Sequence, residues 1–407
     1  MARASSLALV LLSATIFSAV PVYAESAVVL DEMDSLSSAD LGLNGATLDP
    51  SGSWVLAFGE ESVMKMINAA DPSIQVPMPV IGETVLNDAD YHPGGLTALI
   101  VGEGGVALRY SAEDHSVTDA GGHDEFGEST LTAVAWNQGG SWAYVGSDDG
   151  TIWRMRASAD GGAEVHVLEG LGTGSEITEI ECHGEILLCV VGTTYDGIAI
   201  IDRDHTVHWV GGGIYPWNGL VCPNTVDVCV FTSGDAIGMA NLDAANPSSS
   251  TVSISEISGT GGVFTGIGDQ YEDRSIILLT PFSLVEHDAG LNASFPWLEN
   301  SDVIEFDSTV SGERIVATWA TDRDSGWILT DRGTILSFHP PSEDSWIGGL
   351  MGLVIMVVFP LVIFGVVLSI LMSMSPRLSH WVTMKIGSEE EKEFSKRDSR
   401  RRRRVRK

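Results

Sequence analysis

The sequence predicts an all-β ectodomain, a seven-bladed β-propeller, followed by a single transmembrane helix. Three observations carry this expectation. A unit of 42–50 residues recurs seven times. Each copy alternates short apolar strands with tight turns. One uncharged apolar segment long enough to cross a bilayer follows the last copy.

The repeat is clearest in its first three copies: Leu48–Gly59, Tyr91–Gly102 and Trp136–Gly146. Each is a strand end, a turn rich in Pro or Gly, and an apolar strand closing on Gly. Proline presets φ and glycine supplies positive φ, so such turns have a mechanism. Weaker copies close on Gly192, Gly234, Thr280 and Thr330. A second turn and a third strand follow, as in Ser147-Asp148-Asp149-Gly150 before Thr151-Ile152-Trp153. Units of this size suit a four-stranded propeller blade.

The run from Thr132 to Trp136, continued through Gly146 to Trp153, resembles a WD-repeat-type β-propeller blade. The resemblance extends over residues 43–340. The Gly-His and Trp-Asp dipeptides of that family are absent. It implies a fold and a habit of binding macromolecules, and transfers no catalytic residue. The last unit reaches Pro340-Pro341 without a fourth strand. The apolar stretch Ser26–Leu30 is therefore expected to close the ring, removing two free sheet edges.

Charge divides the 407 residues into four environments. Residues 1–24 carry only Arg3 and read as a secretory signal, with an apolar stretch Leu7–Val20 and a cleavage site after Val22-Tyr23-Ala24. Residues 25–345, the propeller, hold 50 acidic and 9 basic residues. Residues 346–375 hold no charge and form the expected span; Ile347–Met372 as a helix would be about 39 Å long. Trp346 and Trp381 flank it as interfacial anchors. Residues 376–407 hold 12 basic and 5 acidic residues and form the tail. Positive residues stay inside, so the expected topology is a single-pass cell-membrane protein, ectodomain extracytoplasmic and C-terminus cytoplasmic. The formal charge of −33 excludes an ectodomain that neutralises nucleic-acid phosphates.

The four cysteines form two Cys-x6-Cys pairs in neighbouring units, each with a turn between. Cross-strand positions of a hairpin can be bridged, so the expected pairs are Cys182–Cys189 and Cys222–Cys229. Zinc spacing is missing. His205 and His208 beside Asp202 and Asp204 read as a turn. His123-Asp124-Glu125 reads as a loop between the second and third units. Asp322-x-Asp324-x-Gly326 resembles a calcium loop without its remaining ligands. Asn292-Ala293-Ser294 is a glycosylation acceptor.

Two candidate interaction sites remain. The turns joining second and third strands hold Glu60, Glu61, Glu103, Asp148, Asp149, Asp196, Asp235 and Asp331. Six of seven units thus place an acid at one end of the ring, a rim suited to a basic partner or divalent cations. The tail holds Arg400, Arg401, Arg402, Arg403, Arg404, Arg406 and Lys407. Such a run is drawn to anionic lipid by about 1 kcal/mol per basic residue; RNA is a weaker option. Glu389-Glu390-Glu391 ahead of it reads as a spacer.

No catalytic motif is complete and no cofactor is implied, divalent cations aside. The expected function is a non-catalytic interaction or scaffold module for a protein, glycan or ion. The alternatives are an extracytoplasmic propeller enzyme (hydrolase or quinoprotein) and an assembly factor for membrane complexes.

Overall fold

Seven antiparallel four-stranded sheets follow one another along the chain. The computed structural model describes residues 26–341 apart from 80, 159–161, 169–173, 258–260 and 307–308, and then 363, 380–381, 383–385 and 387–405. It divides into Met1–Pro341 and Ser342–Lys407.

Strands are lettered a to d from the axis outward. Blade 1 comprises Leu43–Leu48, Trp54–Gly59, Met64–Asn68 and Gln75–Val76. Blade 2 comprises Leu86–Tyr91, Thr97–Gly102, Ala107–Ser111 and Ser116–Asp119. Blade 3 comprises Leu131–Trp136, Ala143–Ser147, Ile152–Ala157 and Ala163–Val167. Blade 4 comprises Ile177–Cys182, Cys189–Thr193, Ile198–Ile201 and Val207–Gly211. Blade 5 comprises Gly219–Val221, Val228–Ser233, Ala236–Asn241 and Thr251–Glu256. Blade 6 comprises Val263–Tyr271, Arg274–Thr280, Ser283–Asp288 and Ala293–Leu298. Blade 7 takes Ile315–Asp322, Ser325–Thr330 and Thr334–His339 from the end of the domain and its d strand, Val29–Ser35, from the start.

That last pairing closes the ring, Val29 opposite His339 and Ser35 opposite Thr334. The expected closing strand, Ser26–Leu30, lies a few residues too early. Ala27 N donates to Trp297 O (2.9 Å) and Ser26 Oγ accepts from Glu299 N (2.8 Å), so these first residues fasten blade 6 instead. The strand proper runs on through Asp31 and Asp34, both exposed. An outermost strand has a solvated face and tolerates such residues.

The glycines that mark the repeat have a steric cause. A Cβ at Gly59 would stand 2.2 Å from Gly42 O, and one at Gly102 would stand 2.2 Å from Val85 O. In blades 1 and 2 the chain entering the blade passes over the end of strand b, and only glycine leaves room. The turns from a to b also repeat their chemistry. Asp49 Oδ1 accepts from Ser53 N and Trp54 N (2.6 and 2.7 Å). Asn137 Oδ1 does the same for Ser141 N at 2.9 Å, and His92 Nδ1 for Gly94 N at 2.9 Å.

The core lies between blades. Leu56, Phe58 and Met66 of blade 1 pack on Leu86, Tyr91 and Ile100 of blade 2. Trp217 is fully buried between blades 4 and 5 among Ile198, Ile200 and Phe231. The cysteines pair as expected: Cys182–Cys189 links strands a and b with Cα atoms 3.9 Å apart, and Cys222, one residue past strand a, joins Cys229 of strand b with 4.2 Å.

In the second unit, Glu389–Val405 is an α-helix. The acidic triplet read as a spacer is its first turn, where carboxylates suit the helix N-terminus. Lys392 pairs with Glu389 at 3.0 Å. The signal segment 1–24, nearly all of the span 346–375, and Arg406 and Lys407 lie outside the described residues. Among the described residues no helix is long and apolar enough to cross a membrane.

Candidate functional site

The rim is assembled by a repeated backbone bond. The first residue after strand b donates to the carbonyl just before strand a of the same blade. Glu60 N reaches Gly42 O (2.9 Å), Glu103 N reaches Val85 O (3.0 Å), Asp148 N reaches Thr130 O (3.0 Å), and Asp331 N reaches Arg314 O (2.8 Å). With Thr194 N to Glu176 O (3.0 Å) in blade 4, the b–c turns of five blades are thereby pinned to the chain entering the blade, at one end of the ring. Glu60, Glu61, Glu103, Asp148, Asp149 and Asp235 are exposed there, while Asp196 and Asp331 are half-buried. Blade 6 turns through Pro281-Phe282 and contributes no acid.

The short helix His123–Phe126 joins this end, because Gly105 N in the b–c turn of blade 2 donates to Ser129 O at 2.7 Å. Not every rim carboxylate is free. Asp149 accepts from Ser147 Oγ (2.7 Å) and Thr151 N (3.0 Å), and the bond from Ser147 holds it below the usual carboxylate range. Asp331 is tied to Arg314. Among the described residues no three of these side chains come together in a way that could hold a metal ion.

The remaining expected sites fall into place as structure. His205 ends a turn and bonds Tyr144 OH of blade 3 (2.8 Å), and His208 bonds Asp202 (2.8 Å). Asp324, read as part of an incomplete calcium loop, is an inter-blade clamp: it accepts two bonds from Arg274 of blade 6, each 2.9 Å. Arg274 also pairs with Glu286. Asn292 is exposed in the turn between strands c and d of blade 6.

A second acidic group, not expected from the sequence, lines the axis. The a strands of neighbouring blades touch around the whole ring. Asp88 and Asp90 in blade 2, Glu179 and Glu181 in blade 4, and Asp269 in blade 6 all project from these strands. Asp88 accepts from Val134 N and Asp90 from Trp136 N, both at 2.7 Å. They thereby satisfy backbone donors on the inner edge of blade 3, which has no further strand to pair with. Burial raises Asp88 to about 6, Asp90 to about 7, Glu179 to about 8 and Asp269 to about 6. Glu181 is pushed well up by burial and then by Asp90, Asp88, Asp269 and Glu179. Carboxylates on blades 2, 4 and 6 sense one another only across the central channel. Asp88, Asp90, Glu179 and Glu181 are half-buried and Asp269 is exposed at the residue level, all open to water yet ringed by protein. The sequence did carry a signal: Asp88-x-Asp90 and Glu179-x-Glu181 place two acids on one face of a strand.

The ring of seven sheets and its pinned turns define the chain as a seven-bladed β-propeller. No family model matches it, and no curated protein does. Among solved structures it is similar to the β-propeller domain of Cps50 (Swd1) from Myceliophteria thermophila. The TM-score is 0.59 at 10% identity, over 77% of this chain and 100% of that one. A likeness at that identity is a likeness of fold.

Proposed function

We propose that the chain is a membrane-anchored scaffold, its propeller extracytoplasmic, which presents the acidic rim to a basic segment of a partner protein. The observation that carries this is the rim: acids on the b–c turns of six blades, five of them held at one end by the same backbone bond. Charges of one sign around a shared edge focus potential and steer an oppositely charged partner.

A protein fits better than a cation or a glycan. The rim acids are spread out rather than converged. Between them stand two exposed apolar side chains: Tyr195 (69%) in the b–c turn of blade 4 and Ile214 (84%) in the chain leaving that blade. Ile214 N donates to Tyr195 O at 3.4 Å. Ile214 has φ of +79°, costly for a β-branched residue. An exposed aromatic beside an aliphatic is a common anchor in protein interfaces. Asp88 and Asp90 of the channel are committed to the backbone of blade 3, which favours a scaffold over a hydrolase or quinoprotein. The signal-like segment, the uncharged stretch 346–375 and the basic tail support the membrane reading, with anionic lipid as the tail's partner.

The test compares two variants of equal charge change. E103Q/D148N/D235N alters the rim. E113Q/D204N/D322N alters the opposite end. A lysine-rich decapeptide should bind the rim variant several-fold more weakly than the other by calorimetry. Equal weakening in both would show that only net charge matters.

A further inference from the structure

The end of the ring opposite the acidic rim carries a cluster of different character. Antiparallel pairing puts Tyr144 opposite Arg154, Arg154 opposite His166, and Arg156 opposite Glu164. Paired residues share a face of the sheet, and so do residues two apart along a strand. Trp142, just before strand b, therefore stands on the same face as Tyr144, Arg154 and Arg156. That face looks toward blade 4, whose His205 bonds Tyr144 OH and packs edge-on against Trp142 at 5.5 Å.

Both guanidinium groups lie on the indole of Trp142, Arg154 at 4.7 Å and Arg156 at 4.3 Å from the ring centroid. Arg156 is also paired with Glu164 (2.7 Å). Arg154 is not: among the described residues it makes no ion pair, and its Nε is buried without a hydrogen-bond partner. The domain holds 50 acidic residues against 9 basic ones, yet among the described residues no carboxylate pairs with Arg154. Its charge is felt nearby. The His205 imidazole is held below its usual range first by burial and then by Arg154.

We propose that this cluster between blades 3 and 4 binds a tetrahedral oxyanion, the phosphate or sulfate group of a ligand, with Arg154 as its anchor. Stacking on Trp142 fixes the guanidinium before any ligand arrives, so little side-chain entropy remains to be lost on binding. The fork of Arg154 offers its N–H groups uncommitted. Arg156, held by Glu164, adds its charge to the cluster, and the terminal N–H groups of Arg154 are left to donate to a phosphate or sulfate oxygen. The site is independent of the acidic rim and of where the propeller resides.

The experiment titrates the propeller with sodium phosphate and sodium sulfate at low ionic strength, reading calorimetric heat and the Trp142 indole N–H resonance. Wild type should bind saturably. R154Q should bind at least ten-fold more weakly, R154K to an intermediate degree, and R109Q, on an exposed strand of blade 2, like wild type. Circular dichroism checks that each variant is folded. Glucose 6-phosphate and a 6-sulfated disaccharide then separate the two sources of the anion, the tighter binder naming the source. No saturable response to either inorganic anion overturns the proposal, as does equal affinity in folded R154Q or failure of both sugars to compete.

Discussion

Replacing Glu179 and Glu181 by glutamine should stabilise the propeller at pH 8 and change it little at pH 5. Burial raises Glu179 from 4.5 to about 8, and Glu181 moves the same way. A carboxyl whose native pKa is raised binds more protons folded than unfolded. Native stability then falls as pH rises from the unfolded value near 4.5 through the folded one. If the whole shift of Glu179 were realised it would correspond to roughly 5 kcal/mol. These side chains are half-buried and reached by water. An effective dielectric of about 20 leaves only part of that, and we expect about 1–2 kcal/mol for the pair. For a domain of this size the melting temperature should rise by about 1.5–3 °C at pH 8. His205 and His287, both held down by burial, act in the opposite direction below their usual pKa. Comparing variant with wild type at each pH cancels their effect. The assay is calorimetric melting from pH 5 to 8. An E179Q/E181Q protein that melts lower than wild type at pH 8, or whose advantage is the same at pH 5, would refute the channel as a store of like-charge repulsion.

Further outcomes follow from single contacts. Arg274 is 8% exposed between Glu286 and Asp324, so R274A leaves two carboxylates without their cation and should cost about 3–5 kcal/mol in chemical denaturation. Each disulfide closes a short loop across one a–b turn; C182S/C189S should lower stability by about 2 kcal/mol and leave the far-UV spectrum unchanged. A peptide of residues 389–407 should bind phosphatidylserine vesicles with a steep salt dependence. Changing Arg400 to Arg404 to glutamine should flatten that dependence, and equal binding of the two peptides at low salt would remove lipid attraction as the tail's role.

Most of the fold was legible because its periodic features have local causes. The glycines at 59 and 102 recur because the incoming chain crosses above them, and the Asp49 and Asn137 turns recur because one side-chain oxygen collects the donors of the turn. The disulfides were legible because a bridged hairpin needs only two strands and a turn. Closure was legible in kind but misplaced by a few residues. Search for an apolar strand stops at Leu30, whereas the outermost strand of a propeller is wet on one side and continues through Asp31 and Asp34.

The sites divide along the same line. Acids in b–c turns were found because a turn is a local object, and the ring then merely stacks the turns at one end. The channel acids escaped because Asp88-x-Asp90 within one strand reads as the solvent face of a half-buried sheet. Their meaning is non-local: only when blades 2 and 4 stand across an axis do Asp88 and Glu179 oppose each other. The same holds for Arg154 and Arg156. As Arg-Met-Arg they look like an ordinary exposed edge, and only the register of blade 3 with His205 of blade 4 turns them toward one indole. A propeller brings distant strands into register around one centre. Its turns can therefore be read from sequence, while the chemistry of its channel and inter-blade clefts is written between segments some 45 residues apart.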